Sequence, residues 1–161
     1  MQTGMIDLLR TDFLAFVIVA ASIIEAIALH EFAHAYVADL QGDRLPRAMG
    51  RLSLNPVRHL DPLGTIFLVL VGFGWGKPVE FRLNALSSKR FGAALVALAG
   101  PGMNLLLAVL GAIVARIAGA ELLEFGGDSQ IVVPEGLTGH IARGFVVFSS
   151  INVILAVFNL I

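Results

Sequence analysis

Residues 13–40 read FLAFVIVAASIIEAIALHEFAHAYVADL, and this stretch decides the fold. From Phe13 to Leu29 only Ser22 and Glu25 interrupt an apolar run. A spanning helix needs about 20 such residues, so the stretch reads as a transmembrane helix. Gly42 stands just past Leu40, where glycine commonly ends a helix. At ~1.5 Å per residue the helix is ~40 Å long, more than the ~30 Å hydrocarbon core. Toward its C-terminal end lie His30-Glu31-Phe32-Ala33-His34, an HExxH pattern. Two histidines four apart share one helix face, a turn from each other. Both imidazoles can then reach one metal ion, with Glu31 beside them to take a proton from water. Ionisable groups inside a bilayer cost a few kcal/mol each unless paired or functional. That cost favours metal binding over chance interhelical hydrogen bonds.

Composition points the same way. The chain has 161 residues, 57% hydrophobic and 14% charged. Soluble domains carry about 25% charged residues, so we expect one membrane-embedded domain over residues 1–161. The formal net charge of −1 gives no reason to expect a nucleic-acid partner. There is no cysteine, so a metal must be held by His, Asp, Glu or water. Met1 to Asp12 lacks a basic start, a short apolar core and a small-residue cleavage site, and does not read as a removable signal peptide.

Three further apolar segments follow. Leu63 to Trp75 begins after Asp61-Pro62, an N-cap acid and a proline at the first helical position. It is short for a span, which favours a re-entrant or half-membrane element. Gly72, Gly74 and Gly76 then break it. The third segment runs from Phe91 to about Ala115, and the fourth from Gly144 to Ile161. Lys77 to Arg82 alternates polar and apolar residues, weak evidence for a strand.

The loops orient the chain. Residues 41–60 contain Arg44, Arg47, Arg51 and Arg58, and residues 76–90 contain Lys77, Arg82, Lys89 and Arg90. Residues 119–139 contain Glu121, Glu124, Asp128 and Glu135 but no Lys or Arg. The positive-inside rule places the first two loops in the cytosol and the third outside. Both basic loops share a side only if Leu63–Trp75 enters and leaves by the same face. The expected fold is therefore an all-α integral membrane protein. It has three transmembrane helices, a short re-entrant or half-membrane segment and room for a small β-hairpin, with the N-terminus outside. Four full spans are the alternative.

A catalytic zinc site usually takes three protein ligands, and His30 and His34 supply two. Glu25 and Asp39 point to other faces of the same helix, Asp61 reads as a cap and Glu80 lies in a loop. His59 and His140 stand alone and read as interfacial. Asn152 and Asn159, seven apart, share a face of the last segment with Ser149 nearby, so that face should meet protein or water. Asn104 in the third segment admits two roles, helix packing or chemistry, and Gly100 and Gly102 favour packing.

Together these residues resemble the site-2 protease family of intramembrane zinc metalloproteases, in its compact prokaryotic branch without a PDZ domain. The resemblance runs from about Ile24 to the end. It rests on His30 to His34, Asn55-Pro56-Val57-Arg58-His59-Leu60-Asp61-Pro62-Leu63-Gly64-Thr65, Gly74 to Val79, Ala99 to Asn104, and Phe158-Asn159-Leu160-Ile161. It implies one Zn²⁺ held by His30 and His34, with Glu31 as general base. Asn159 is the implied oxyanion donor, with Asn104 second. It also implies an edge near Val79–Phe81 for an unwound substrate, and substrates that are membrane proteins with a transmembrane helix. The expected location is the plasma membrane of a prokaryote, with the active site toward the cytosol. In the family an Asp-Gly pair follows the asparagine and supplies the third ligand. The chain ends at Ile161 before it and reads as C-terminally incomplete. The alternative function is a catalytically inactive membrane scaffold or metal-binding pseudoprotease, with a metal transporter more distant.

Overall fold

The computed structural model describes residues 5–125 and 128–160. The elements in order are α1 (Met5–Thr11), α2 (Phe13–Leu40), α3 (Leu45–Ala48), α4 (Pro62–Val71), α5 (Lys89–Ile117), β1 (Glu121–Phe125), β2 (Asp128–Val132) and α6 (Gly136–Phe158). Three of them, α2, α5 and α6, are long and apolar enough to cross a membrane. They pack against one another, and α1 packs on α2 and α4.

Local chemistry sets the ends of α2. The Asp12 carboxylate accepts the Ala15 N–H at 2.9 Å, an N-cap bond. At the other end Gly42 adopts φ 106°, and the Asp43 N–H returns to the Ala38 carbonyl at 3.1 Å. Glycine takes that left-handed backbone without steric cost.

The helices touch along stripes of small residues. On α5 the buried face includes Gly92, Gly100, Asn104, Ala108, Gly111 and Ala115, and on α6 Gly139, Ala142, Asn152 and Ala156. Lipid tails are as apolar as leucine, so close backbone approach and dispersion hold such helices together. The bulky residues Phe91, Leu95, Leu98 and Leu106 are exposed on the outer side of α5.

The short fourth element settles the second apolar segment. Asp61 caps α4 by accepting the Gly64 N–H at 2.9 Å, and Gly72 ends it at φ 79°. The chain then doubles back. Gly64 lies against the Trp75 backbone and Gly74 against the Gly64 carbonyl, so a Cβ at either glycine would collide. Leu60 and Gly76 form an antiparallel bridge, and the Lys77 N–H donates to the His59 carbonyl at 2.7 Å. The segment returns to where it began, as the length and charge argument expects.

Two expectations need correction. The expected small hairpin forms at β1–β2, with Glu121 opposite Val132, whereas the strand weakly indicated at Lys77–Arg82 does not form. That stretch forms no strand, because side chains occupy its backbone groups. The buried Arg51 guanidinium donates to the carbonyls of Arg58, Lys77 and Pro78, and the Arg82 N–H donates to Asp43. The last helix also starts at Gly136, eight residues before the apolar run at Gly144. His140 and Arg143 are exposed on its first turns, and polar side chains on an exposed face do not interrupt helical hydrogen bonding.

Candidate metal centre

One turn of α2 presents His30, Glu31 and His34, and α5 packs directly over it. Gly100 makes this possible. A Cβ there would strike Nε2 of both histidines, so only glycine lets α5 approach so closely. The two Nε2 atoms lie 3.0 Å apart, with the rings nearly perpendicular at 82°.

The outer nitrogens are both engaged. His34 Nδ1 lies 2.6 Å from the Val96 carbonyl oxygen, and His30 Nδ1 lies 3.2 Å from Asn104 Oδ1. A carbonyl only accepts, so each Nδ1 carries the proton and each neutral ring presents a bare lone pair at Nε2. Two lone pairs this close repel unless a cation sits against both. Two nitrogens ~2.0–2.1 Å from one tetrahedral ion stand about 3.3 Å apart, near the observed separation. Ligating histidines characteristically donate their other N–H to such acceptors. The residues therefore fit a zinc ion.

Among the described residues, no third His, Cys, Asp or Glu joins the pair to make a three-residue metal group. Glu25 is exposed on α2. Asp39 is held by Arg44 at 3.0 Å and Arg47 at 2.7 Å. Asp61 caps α4 and His140 is exposed. His59 does not join the pair. It is fully buried, with Nε2 2.7 Å from the Ser53 carbonyl. Burial first, then the nearby Arg51 charge, pushes its pKa below the ordinary histidine value, against the bond to Ser53.

A cavity of about 420 Å³ opens beside His30 and Glu31. His30 and Glu31 form one wall, Gly72 to Gly76 a second, and Ile151, Ile154, Leu155 and Phe158 of α6, with Asn159 just past its end, a third. Gly76 lies against Ile27 and the Glu31 side chain. The fold therefore uses the glycine-broken return of the re-entrant segment to cover the acid. Asn159 reaches this cavity, and its Nδ2 donates to the Leu155 carbonyl at 2.7 Å. Asn104 is not among the lining residues; it is fully buried behind His30.

The basic loop above the site is clamped. Asp43 is fully buried and accepts from the backbone N–H of Arg82 and of Leu45 and from the Arg82 guanidinium. Burial alone would raise its pKa, but these donors together hold it below the usual carboxylate value.

The histidine spacing announces the pair in the sequence. The contacts of Gly100, Val96 and Asn104 with those rings do not show, because they join residues more than sixty positions apart. The nearest signal is that Gly100 and Asn104 stand four apart, which puts them on one face of a helix.

The chain is 36% identical over 140 residues to a Bacillus subtilis (strain 168) protein named "Putative zinc metalloprotease YwhC", covering 87% of this chain and 60% of that one. It is 35% identical over 101 residues to the Mycolicibacterium smegmatis protein carrying the same description with the name Rip2. The Mycobacterium tuberculosis (strain H37Rv) protein of that name is 38% identical over 101 residues. The two Rip2 matches cover 59% of this chain and 38% of each relative. The chain thus spans 60% of the length of the first relative and 38% of the other two. No family model matches it, and no solved structure matches it significantly.

Proposed function

From the similarity to these metalloprotease-named homologues, we propose that the chain carries the catalytic helix of an intramembrane zinc metalloendopeptidase of the site-2 protease type. The observation that carries this reading is the pair of bare Nε2 atoms 3.0 Å apart, next to a carboxylate and a cavity. His30 and His34 would hold the zinc ion, with a third ligand from outside this set of residues. When bound, zinc supplies a Lewis acid that makes water acidic near neutral pH and polarises a carbonyl.

The chain's own residues then do the rest. Glu31 accepts the proton of the attacking water and returns it to the departing amine. Asn159 has a second amide hydrogen beyond the one given to Leu155, and directs it at the developing oxyanion. Asn104 orients His30 from behind. The substrate is a transmembrane segment of another protein. Its peptide bonds are hidden in its own helix, so it unwinds before entering the space between Gly72–Gly76 and α6. The bias of Lys and Arg to the loops at residues 41–60 and 76–90 supports a site toward the cytosolic face of a prokaryotic plasma membrane, where water would reach it.

Glu31 separates this reading from an inactive metal-binding scaffold, because holding a metal does not require that carboxylate. Glu31→Gln in the full-length protein should keep zinc at wild-type stoichiometry and lower cleavage of a membrane substrate by ~10²–10⁴-fold. Cleavage at the wild-type rate in that variant would refute the assignment.

A further inference from the structure

We infer that Asn152 is a positioning residue for His30, acting through Asn104 to determine which nitrogen of the His30 ring carries its proton. The inference rests on His30 as a metal ligand, the reading given above.

Asn104 and Asn152 are both fully buried, each on a membrane-length apolar helix. Each amide is half satisfied. Asn104 Oδ1 faces His30 Nδ1 at 3.2 Å, which leaves its Nδ2 donor buried without a partner. Asn152 Nδ2 donates to the Phe148 carbonyl at 2.9 Å, which leaves its Oδ1 acceptor buried without a partner. The unmatched groups are complementary, one donor and one acceptor.

The register of the two helices brings them together. Ser149 Oγ donates to the Ala108 carbonyl at 2.7 Å, and Gly111 lies against Phe148 and Ser149. These contacts run antiparallel. One turn back along α5 from Ala108 is Asn104, and one turn on along α6 from Ser149 is Asn152. Leaving either amide group unmatched costs ~1–3 kcal/mol. Neither has a partner as the side chains stand, and a direct N–H···O bond between the two amides, reached by a small turn of either side chain, would satisfy both.

The chain of bonds has only one polarity. The Phe148 carbonyl cannot donate, so Asn152 turns its nitrogen to Phe148 and its oxygen to Asn104. Asn104 must then offer its nitrogen to Asn152 and its oxygen to His30. An oxygen at that point requires the proton on Nδ1, which leaves Nε2 bare toward the metal. A backbone carbonyl on α6 thereby fixes the tautomer of a ligand on α2. A reversed Asn104 would favour the other tautomer and present an N–H where the metal needs a lone pair.

The test uses the full-length protein in detergent micelles. Ring ¹⁵N shifts of His30 without metal report the tautomer, and competition with a chelator reports zinc affinity. In the wild type His30 should hold its proton on Nδ1. Asn152→Leu should raise the Nε2–H population several-fold and weaken zinc binding about tenfold. Asn152→Ser can donate to Phe148 and accept from Asn104, and should restore both. If Asn152→Leu does not fold, Asn152→Ala takes its place. A wild-type ring protonated on Nε2, or a tautomer unmoved by Asn152→Leu or Asn152→Ala, would overturn the proposal and leave Asn152 a packing contact. A wild type that binds no zinc would remove the functional reading instead, while the tautomer shift would still decide the relay.

Discussion

Gly100 of α5 lies so close to the His34 ring on α2 that a single methyl group would occupy the space where Nε2 sits. Helix contact and metal site are the same interface. An ordinary Gly→Ala change inside a helix is favourable by ~1 kcal/mol from backbone propensity. Here Gly100→Ala should leave the helix intact and separate the two imidazoles. We expect zinc affinity to fall at least about tenfold, by analogy with the loss of an outer contact to a metal ligand. Chelator competition measures it, and an unchanged affinity would contradict the packing described.

The re-entrant segment depends on Gly64 in the same way. Its Cα rests against the Trp75 backbone, which cannot move aside as a flexible side chain can. Gly64→Val should open the turn, with an overpacking cost of ~1–3 kcal/mol. The lost wall should show as faster proteolysis between Gly72 and Lys77 in micelles. A protease pattern like the wild type would argue against the hairpin.

Acid should weaken the basic loop through Asp43 and His59, in two windows. Both groups have folded pKa values below their ordinary ones. A depressed value means the unfolded chain binds the proton more readily, so each contribution is complete above the unfolded pKa and is lost as pH falls toward the folded one. The His59 window therefore opens below about 6.5 and the Asp43 window below about 3.9. The measurement is thermal unfolding in micelles across pH. Asp43→Asn should be less stable than the wild type at neutral pH, and the gap should narrow below pH ~4. A gap independent of pH would show that the Asp43 charge contributes nothing.

Topology is open to direct labelling because the chain has no cysteine of its own. Leu54, Leu83 and Leu137 are all exposed. Single cysteines at positions 54 and 83 should react with an impermeant reagent from one side of the membrane, and a cysteine at 137 from the other. Labelling of 54 and 83 from opposite sides would turn the re-entrant segment into a full span.

The charges counted for the expected orientation also have local work. Arg44 and Arg47 hold Asp39, Arg82 holds Asp43, and Arg51 is buried against three carbonyls. A charge count along the sequence cannot separate these uses from a topological signal. It reaches the right expectation about the return of residues 62–76 because the paired arginines still lie at one end of the helices.

The sequence by itself determined the extent of α2, the capped start of the short α4 and the facing histidines. Their causes are local: a hydropathy run, an acid or glycine at a helix end, and a four-residue spacing that the helical period turns into one face. It misplaced the start of α6, because apolarity marks what lipid covers and not where helical bonding begins, and it read a strand at Lys77–Arg82 where side chains take up backbone groups. Only the tertiary structure decided that Gly100 seats both imidazoles, that Asn104 backs His30 and that Gly72–Gly76 close the cavity over Glu31. These contacts join segments distant in sequence, and a glycine or asparagine in an apolar helix looks the same whether it faces a neighbouring backbone or a metal ligand.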